Sequence, residues 1–238
     1  MDIRLALMTG IDIPVPICQL AIHQPSIREI SMIGEKDFFI AAQCLCLNKT
    51  MYIEDESLLK DTSNFQIFMT VMSEKSEADK KENVSKLLNI LFPNYKTLWT
   101  PRSILLNSPQ GNVTIDENNF EILQEIFQEI FCLSARGEQA FNPANDAAKK
   151  IADKLMRARQ KVAAQKQDGN GSVFSQYVSS LSIGLHMPLK DLLDLTVYQL
   201  YDLIERFNLF TNWDIHLRAS LAGAKQDSQP DNWMKNIH

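Results

Sequence analysis

Histidines are the side chains of this sequence best suited to acid–base chemistry near neutral pH. The four of them are His23, His186, His216 and His238. No two stand three or four residues apart and none lies in an H-E-x-x-H motif, so their spacing does not predict a metal site on one helix face. His23 ends a strand-like segment directly before a Gln-Pro turn, and His216 shares a predicted helix with Asp214 and Arg218. We predict structural hydrogen bonds for both histidines rather than catalysis.

Thiol and metal chemistry is the second candidate. The four cysteines are Cys18, Cys44, Cys46 and Cys132. Cys44 and Cys46 form a C-x-C pair, but no second pair and no nearby histidine completes a zinc site. Apolar neighbours favour buried free thiols, with a redox or metal role as the alternative. Reduced cysteines are typical of a cytoplasmic protein.

Motifs for covalent catalysis and phosphate binding are missing from the sequence. There is no G-x-S-x-G elbow, no P-loop and no G-x-G-x-x-G fingerprint. The run Gly169-Asn170-Gly171-Ser172 has the composition of a phosphate loop, but no lysine follows and no strand precedes it. We therefore predict a protein that is not an enzyme and that has no catalytic residues, cofactor or metal. The alternative is an enzyme whose site is assembled from distant residues, such as His23 or His216 with a carboxylate.

Basic residues cluster in one predicted helix, residues 144–167. They are Lys149, Lys150, Lys154, Arg157, Arg159, Lys161 and Lys166. They fall at several angles around the helix, Asp146 and Asp153 interrupt them, and no aromatic residue lies between them to stack on bases. The net charge of the chain is −5, so no overall field attracts nucleic acid or anionic lipid. We predict a solvated connecting helix, with contact to nucleic acid or to an acidic protein as alternatives.

The N-terminal part is predicted to combine a hairpin with helices. Residues 3–8 and 17–23 alternate like strands around a Thr-Gly turn, and Pro25 suits the first turn of a helix that ends at Gly34. Helical spacing then predicts helices over residues 35–47, 64–72 with Ser63 as cap, 77–92 and about 117–133. Residues 97–99, 103–107 and 113–115 read as three strands before the last of these helices.

The C-terminal part begins after the best linker of the chain, residues 168–172. Helices are predicted over residues 173–183, 189–193, 197–207 and 211–221, with a break at Gly184 and Pro188 opening the second. The predicted fold is α+β and predominantly helical, with small β-hairpin and sheet elements in the N-terminal part and a helical C-terminal bundle. The predicted parts are an α+β domain over 1–137, a basic connecting helix and linker over 138–171, and a helical domain with an anchoring tail over 172–238.

Aromatic and apolar side chains of the C-terminal part are predicted to form walls for a helical partner. This partner-binding set consists of Phe174, Tyr177, Leu181, Tyr198, Tyr201, Ile204, Phe207, Trp213 and Trp233. Most of them should also be ordinary core residues. Trp233 follows a polar run after Gly223, so it either docks back as an anchor or engages a partner.

Short motifs at both ends of the chain carry a resemblance to a known family. Near the start these are His23 to Ile30 followed by Ile33-Gly34-Glu35, and near the end Leu200-Tyr201-Asp202 to Arg206, Leu221 to Lys225, and Trp233-Met234. Their order resembles small proteins encoded in the tail-gene region of tailed bacteriophages, particularly tail assembly chaperones. The motifs cover roughly a third of the chain and carry no catalytic signature.

The resemblance implies a non-catalytic role in phage tail morphogenesis. Such chaperones coat the long tape measure protein in the host cell cytoplasm, keep its helical surface from aggregating and help to recruit tail-tube subunits. Residues 94–115, with their strands, depart from an all-helical chaperone core, so a structural tail or baseplate component of the virion is the alternative. A helical module that binds nucleic acid or protein is the second alternative.

The expected partners follow from the same resemblance. They are the tape measure protein, or tail-tube and baseplate proteins, while nucleic acid is disfavoured and self-association is left open. Residues 1–10 lack the charged leader and apolar core of a signal peptide, and no stretch approaches the ~18 apolar residues of a membrane span. We therefore expect a soluble protein with no membrane partner, located in the host cytoplasm during assembly or in the virion tail.

Overall fold

The computed structural model describes residues 2–53, 60–109, 111–133, 171–223 and 232–234. The fold is α+β and predominantly helical, as predicted. The helices are α1 (Ile3–Thr9), α2 (Ile27–Ile33), α3 (Glu35–Leu45), α4 (Asn64–Ser73), α5 (Ala78–Leu91), α6 (Phe120–Ile130), α7 (Val173–Leu185), α8 (Leu189–Leu193) and α9 (Val197–Leu221). The strands are β1 (Ile13–Val15), β2 (Leu20–Ile22), β3 (Lys96–Trp99), β4 (Ile104–Ser108) and β5 (Gly111–Ile115).

The first segment is a helix, and the predicted strand over residues 3–8 is wrong. Asp2 caps α1, because its side chain accepts hydrogen bonds from the backbone N–H groups of Arg4 and Leu5. Gly10 ends the helix at φ +71° and donates its backbone N–H to the carbonyl of Ala6. The apolar residues of this short segment fit a strand period and a helix period equally well, so the two caps decide the outcome.

A hairpin does form, but it lies after α1. Strands β1 and β2 pair antiparallel, with Ile13 opposite Ile22 and Val15 opposite Leu20. A short 3-10 turn, Pro16–Cys18, connects them. The backbone N–H of His23 donates to the carbonyl of Leu91 at 2.9 Å, which ties the end of the hairpin to α5.

Capping boxes explain where the predicted helices begin. Ser26 and Glu29 form one at the start of α2, and Ser63 and Gln66 form another at the start of α4. Pro25 therefore precedes the cap of α2 rather than lying in its first turn. The confirmed breaks include Gly34, whose φ of +90° separates α2 from α3.

The predicted middle strands form a three-stranded antiparallel sheet in the order β3-β4-β5. Trp99 of β3 donates its indole N–H to the hydroxyl of Ser85 at 2.8 Å, and its ring lies 4.8 Å from the ammonium nitrogen of Lys81. Both contacts fasten the sheet to α5. The next helix, α6, is amphipathic as predicted and buries Phe120, Leu123 and Phe127.

The C-terminal helices differ from the prediction in two places. Helix α7 continues through Gly184 to Leu185. A glycine fits at position 184 because the ring of Phe207 fills the space that a side chain would need. A Cβ at Gly184 would lie 2.7 Å from the Cε2 atom of Phe207 and closer still to its Cζ atom. The two helices predicted over residues 197–207 and 211–221 are one helix of 25 residues, α9.

The buried side chains of α7 and α9 belong to the same hydrophobic cluster as the N-terminal part. Phe174 lies 6.0 Å from Phe38 between ring centroids, and the backbone N–H of Ile27 donates to the carbonyl of Leu195. The predicted basic helix over 144–167 and most of the linker lie outside the described residues. The division into parts stays a prediction. No helix in the described part of the chain is long and apolar enough to cross a membrane.

Candidate partner-binding surface

Helix α9 leaves the hydrophobic core halfway along its length. Its first half buries Val197, Tyr198 and Leu200, and Phe207 packs against the core. In the part of the chain that the structure describes, no hydrophobic side chain of α9 after Phe207 belongs to this core or packs against it. Residues 208–221 therefore form a helical extension of about 20 Å at the rise of an α-helix.

This extension carries one apolar side. Phe210, Trp213, Leu217 and Leu221 are three or four residues apart, so they line one side of the helix. We call these four residues the distal α9 face. Phe210 is 46% exposed, Leu217 42% and Leu221 80%. Asp214 and Arg218 form an ion pair of 2.8 Å beside this face and give it a polar edge.

Trp233 of the C-terminal tail lies on the distal α9 face. The Trp233 ring meets the Phe210 ring edge to face, with centroids 5.5 Å apart and planes at 83°. Phe210 in turn stacks on Trp213 at 6.3 Å. The guanidinium of Arg206 donates to the backbone carbonyl of Trp233 at 3.3 Å. Trp233 thus docks back on the protein, which is one of the two outcomes predicted for it.

The structure separates the nine predicted partner-binding residues into three groups. Phe174, Leu181 and Tyr198 are buried in the core and offer no surface. Tyr177, Tyr201, Ile204 and Phe207 are half-buried and pack against the core. Trp213 and Trp233 lie at the distal α9 face.

Sequence reasoning missed three residues of this surface, Phe210, Leu217 and Leu221. The signal was the spacing of three and four residues that continues to Leu221. It was lost because residues 197–221 were divided between two predicted helices.

A groove between α2, α7 and α8 is a second candidate surface, with a volume of about 520 Å³. Ile27 and Ile30 line it from α2 and Val178 from α7, and Leu189 of α8 is 54% exposed. The carboxylate of Glu35 lies at one end, where it already caps α7 by accepting from the backbone N–H of Val173 at 2.7 Å. This groove offers apolar walls, but its one acidic group is engaged within the fold.

The structure brings His23 together with two carboxylates, those of Asp12 and Glu29. Its Nδ1 atom lies 3.0 Å from Asp12 Oδ1, and its Nε2 atom lies 3.2 Å from both oxygens of Glu29. Burial alone lowers the pKa of His23, but hydrogen bonds and charges from Asp12 and Glu29 outweigh it, so the pKa is raised.

The Glu29 carboxylate is also fully engaged. Its Oε2 atom accepts from the backbone N–H of Ser26 at 2.8 Å and from the Ser26 hydroxyl at 2.7 Å. Burial raises the pKa of Glu29, but the Ser26 and His23 hydrogen bonds lower it more, so the net pKa is lowered. Both ring nitrogens of a protonated His23 therefore donate to carboxylates, and the cluster joins the segment before β1 to α2. Its chemistry is that of a structural ion-pair clasp.

The four cysteines are free thiols. Burial raises the pKa of Cys18, Cys44 and Cys46, that of Cys46 to about 12, so these three thiols stay protonated. No group of three or more His, Cys, Asp or Glu side chains in the described residues has the arrangement of a metal site.

The fold and the distal α9 face define a helix-rich protein with an exposed apolar surface on the second half of α9. Residues 165–238 match the family model described as the YomV second domain. This match covers less than a third of the chain and includes α7, α8, α9 and Trp233. No curated protein and no solved structure matches the chain. The similarity to the YomV second domain thus concerns the same region that carries the distal α9 face.

Proposed function

We propose that this chain is a non-catalytic phage tail morphogenesis protein that binds an amphipathic helix of the tape measure protein and assists tail assembly in the host cytoplasm. The observation that carries the proposal is the distal α9 face. It is an apolar strip on a helical extension beyond the core, and it already accepts an aromatic residue of the chain's own tail.

Helix stability explains why such a surface favours a helical partner. Most of the stability of a helix in a protein comes from packing of its apolar face, and in the described residues no hydrophobic side chain of the extension 208–221 packs against the core. Fully burying an exposed leucine contributes about 1.5–3 kcal/mol, so Leu221 contributes most of this amount and Leu217, which is 42% exposed, about half of it. Covering Leu217 and Leu221 therefore stabilises both the extension and the complex. A partner helix with apolar residues at positions i, i+3 or i+4, and i+7 has the matching spacing.

The tape measure protein is proposed as the partner because of the resemblance at the two ends of the chain. The motif near the start contains the capping box of α2, and the motifs near the end lie on α9 and at the docked Trp233. The similarity to the YomV second domain covers only the C-terminal end. In this proposal the protein holds the helical surface of the tape measure protein until tail-tube subunits cover it.

A structural tail or baseplate subunit remains the second candidate, and the sheet β3-β4-β5 favours it because the resemblance implies an all-helical core. Mass spectrometry of purified virions separates the two. If the protein is a chaperone, it should be absent from finished particles, or its copy number should be far below one per ring of tail subunits. A fixed, stoichiometric amount would favour the structural role.

A binding titration tests the helix-binding role itself. Fluorescein-labelled peptides that tile the tape measure protein of the same phage are titrated with the full chain, and fluorescence anisotropy gives Kd. We expect at least one amphipathic peptide to bind and the double variant Leu217→Ser, Leu221→Ser to weaken it by a factor of about 10 or more.

The matched control is Ile215→Ser. Ile215 is 57% exposed on the same extension but lies about 140° around the helix axis from Phe210. It should bind like the natural chain. Equal weakening by both variants, or no peptide that binds, would refute the role of the distal α9 face.

A further inference from the structure

Trp233 and a partner helix would contact the same part of the distal α9 face, the Phe210 ring. The Phe210 ring contacts two aromatic neighbours, stacking on Trp213 and meeting Trp233 in a T-shaped contact. The Trp233 and Phe210 rings meet in a T-shaped contact with planes at 83°. A partner side chain that packs on the part of the Phe210 ring in contact with Trp233 must take the place of this indole.

The remaining tail contacts are few among the residues that the structure describes. The hydrogen bond from Arg206 to the Trp233 carbonyl is 3.3 Å long, beyond the usual range for N–H···O bonds. The neighbouring Met234 is 66% exposed, so it contributes little burial. Among residues 232–234, which the structure describes, the contact with α9 therefore rests mainly on the Trp233 side chain.

We propose that Trp233 is a built-in competitor for the distal α9 face, which occupies the Phe210 end of the face until a partner helix displaces it. This inference rests on the proposed function, because it concerns regulation of the same surface. The tail and the face belong to one chain, so the tail binds at a high effective concentration despite its small contact. A partner helix that covers Leu217 and Leu221 as well as Phe210 makes contacts that Trp233 alone does not.

Competition has a quantitative consequence. The apparent Kd of a partner equals its intrinsic Kd divided by the fraction of molecules in which Trp233 has left the face. If Trp233 is docked in about nine molecules of ten, removing it lowers the apparent Kd about tenfold. A tail that contributes to the partner interface produces the opposite change.

The experiment compares Trp233→Ala with Met234→Ala in the full chain, using the tape measure peptide that binds the natural protein. Met234 is adjacent and exposed, so its variant controls for changes in the tail that do not involve the aromatic contact. We expect Trp233→Ala to lower the peptide Kd about fivefold to tenfold and Met234→Ala to leave it unchanged. Thermal melts of both variants confirm that the fold is kept.

A second readout follows the tail directly. The chain has three tryptophans, so 5-fluorotryptophan labelling gives three ¹⁹F resonances, and the one missing in Trp233→Ala belongs to Trp233. Displacement predicts that this resonance moves towards the position of a solvent-exposed indole as the peptide saturates the natural chain.

The outcomes are distinguishable. An unchanged or higher Kd for Trp233→Ala, or an unmoved Trp233 resonance at saturation, overturns the competitor inference and leaves helix binding intact. Failure of every peptide to bind both the natural chain and Trp233→Ala overturns the proposed function together with the inference.

Discussion

Gln124 joins three parts of the fold through one buried side chain. It lies on α6 and is 4% exposed. Its amide nitrogen donates to the carbonyls of Leu45 at 3.0 Å and Leu47 at 2.8 Å, and its oxygen accepts from the side-chain amide of Asn64 at 2.8 Å. We predict that Gln124→Leu, which keeps the volume and removes all three hydrogen bonds, destabilises the protein.

The expected magnitude follows from the groups left behind. Each buried polar group without a partner costs about 1–3 kcal/mol, and the added apolar burial and local relaxation offset part of this cost. We expect a net loss of about 3 kcal/mol in the free energy of unfolding. Urea denaturation followed by circular dichroism measures it as a lower midpoint at an unchanged slope.

Gln128→Leu is the matched control. Gln128 is half-buried on the same helix, so the same substitution should change the free energy of unfolding by less than about 0.5 kcal/mol. A loss below about 1 kcal/mol for Gln124→Leu, or equal losses for both variants, would show that the three hydrogen bonds do not hold α6 to the end of α3 and to α4.

Two further predictions concern packing and pH. Gly184→Ala should lower the free energy of unfolding by about 1–2 kcal/mol in urea denaturation, because the new Cβ displaces the Phe207 ring, although alanine favours helices over glycine by ~1 kcal/mol. Combining it with Phe207→Leu should recover most of the loss. A stabilised Gly184→Ala variant would contradict this packing. Because the pKa of His23 is raised, the stability that His23 contributes is complete below its ordinary pKa of 6.5 and is lost as pH rises through the raised value. Because the pKa of Glu29 is lowered, the stability that Glu29 contributes is complete above 4.5 and is lost at lower pH. Stability should therefore fall from pH 6.5 upwards in the natural chain and fall less in His23→Gln; identical pH profiles count against the clasp with Asp12 and Glu29.

The sequence predicted those elements whose ends carry explicit signals. The cap Ser63, the glycine at 34 and Pro188 predicted α4, the boundary between α2 and α3, and α8 nearly as observed, whereas α2 begins after Ser26 and not at Pro25. Residues 3–8 failed because six residues do not distinguish the two periods, and the cap that decides between them, Asp2, lies outside this stretch. Gly184 failed because its reason is a tertiary contact with Phe207, which local sequence does not encode.

The candidate site was predictable in its location and less so in its residues. The aromatic residues predict a surface that includes the last helix and Trp233, and the structure places these two together. Burial was not predictable, because Phe174, Leu181 and Tyr198 have the same residue types as the exposed positions and differ only in what packs on them. The distal α9 face required knowing that one helix continues past the core.

Hydrogen–deuterium exchange of the full chain, alone and with the tape measure protein, tests the helix-binding claim most directly. Binding should slow amide exchange most strongly in residues 208–221, because the partner helix covers the distal α9 face and suppresses fraying of the extension. Protection that instead appears along α2, α7 and α8, with exchange in residues 208–221 unchanged, would place the partner in the other groove and contradict helix binding at the distal α9 face.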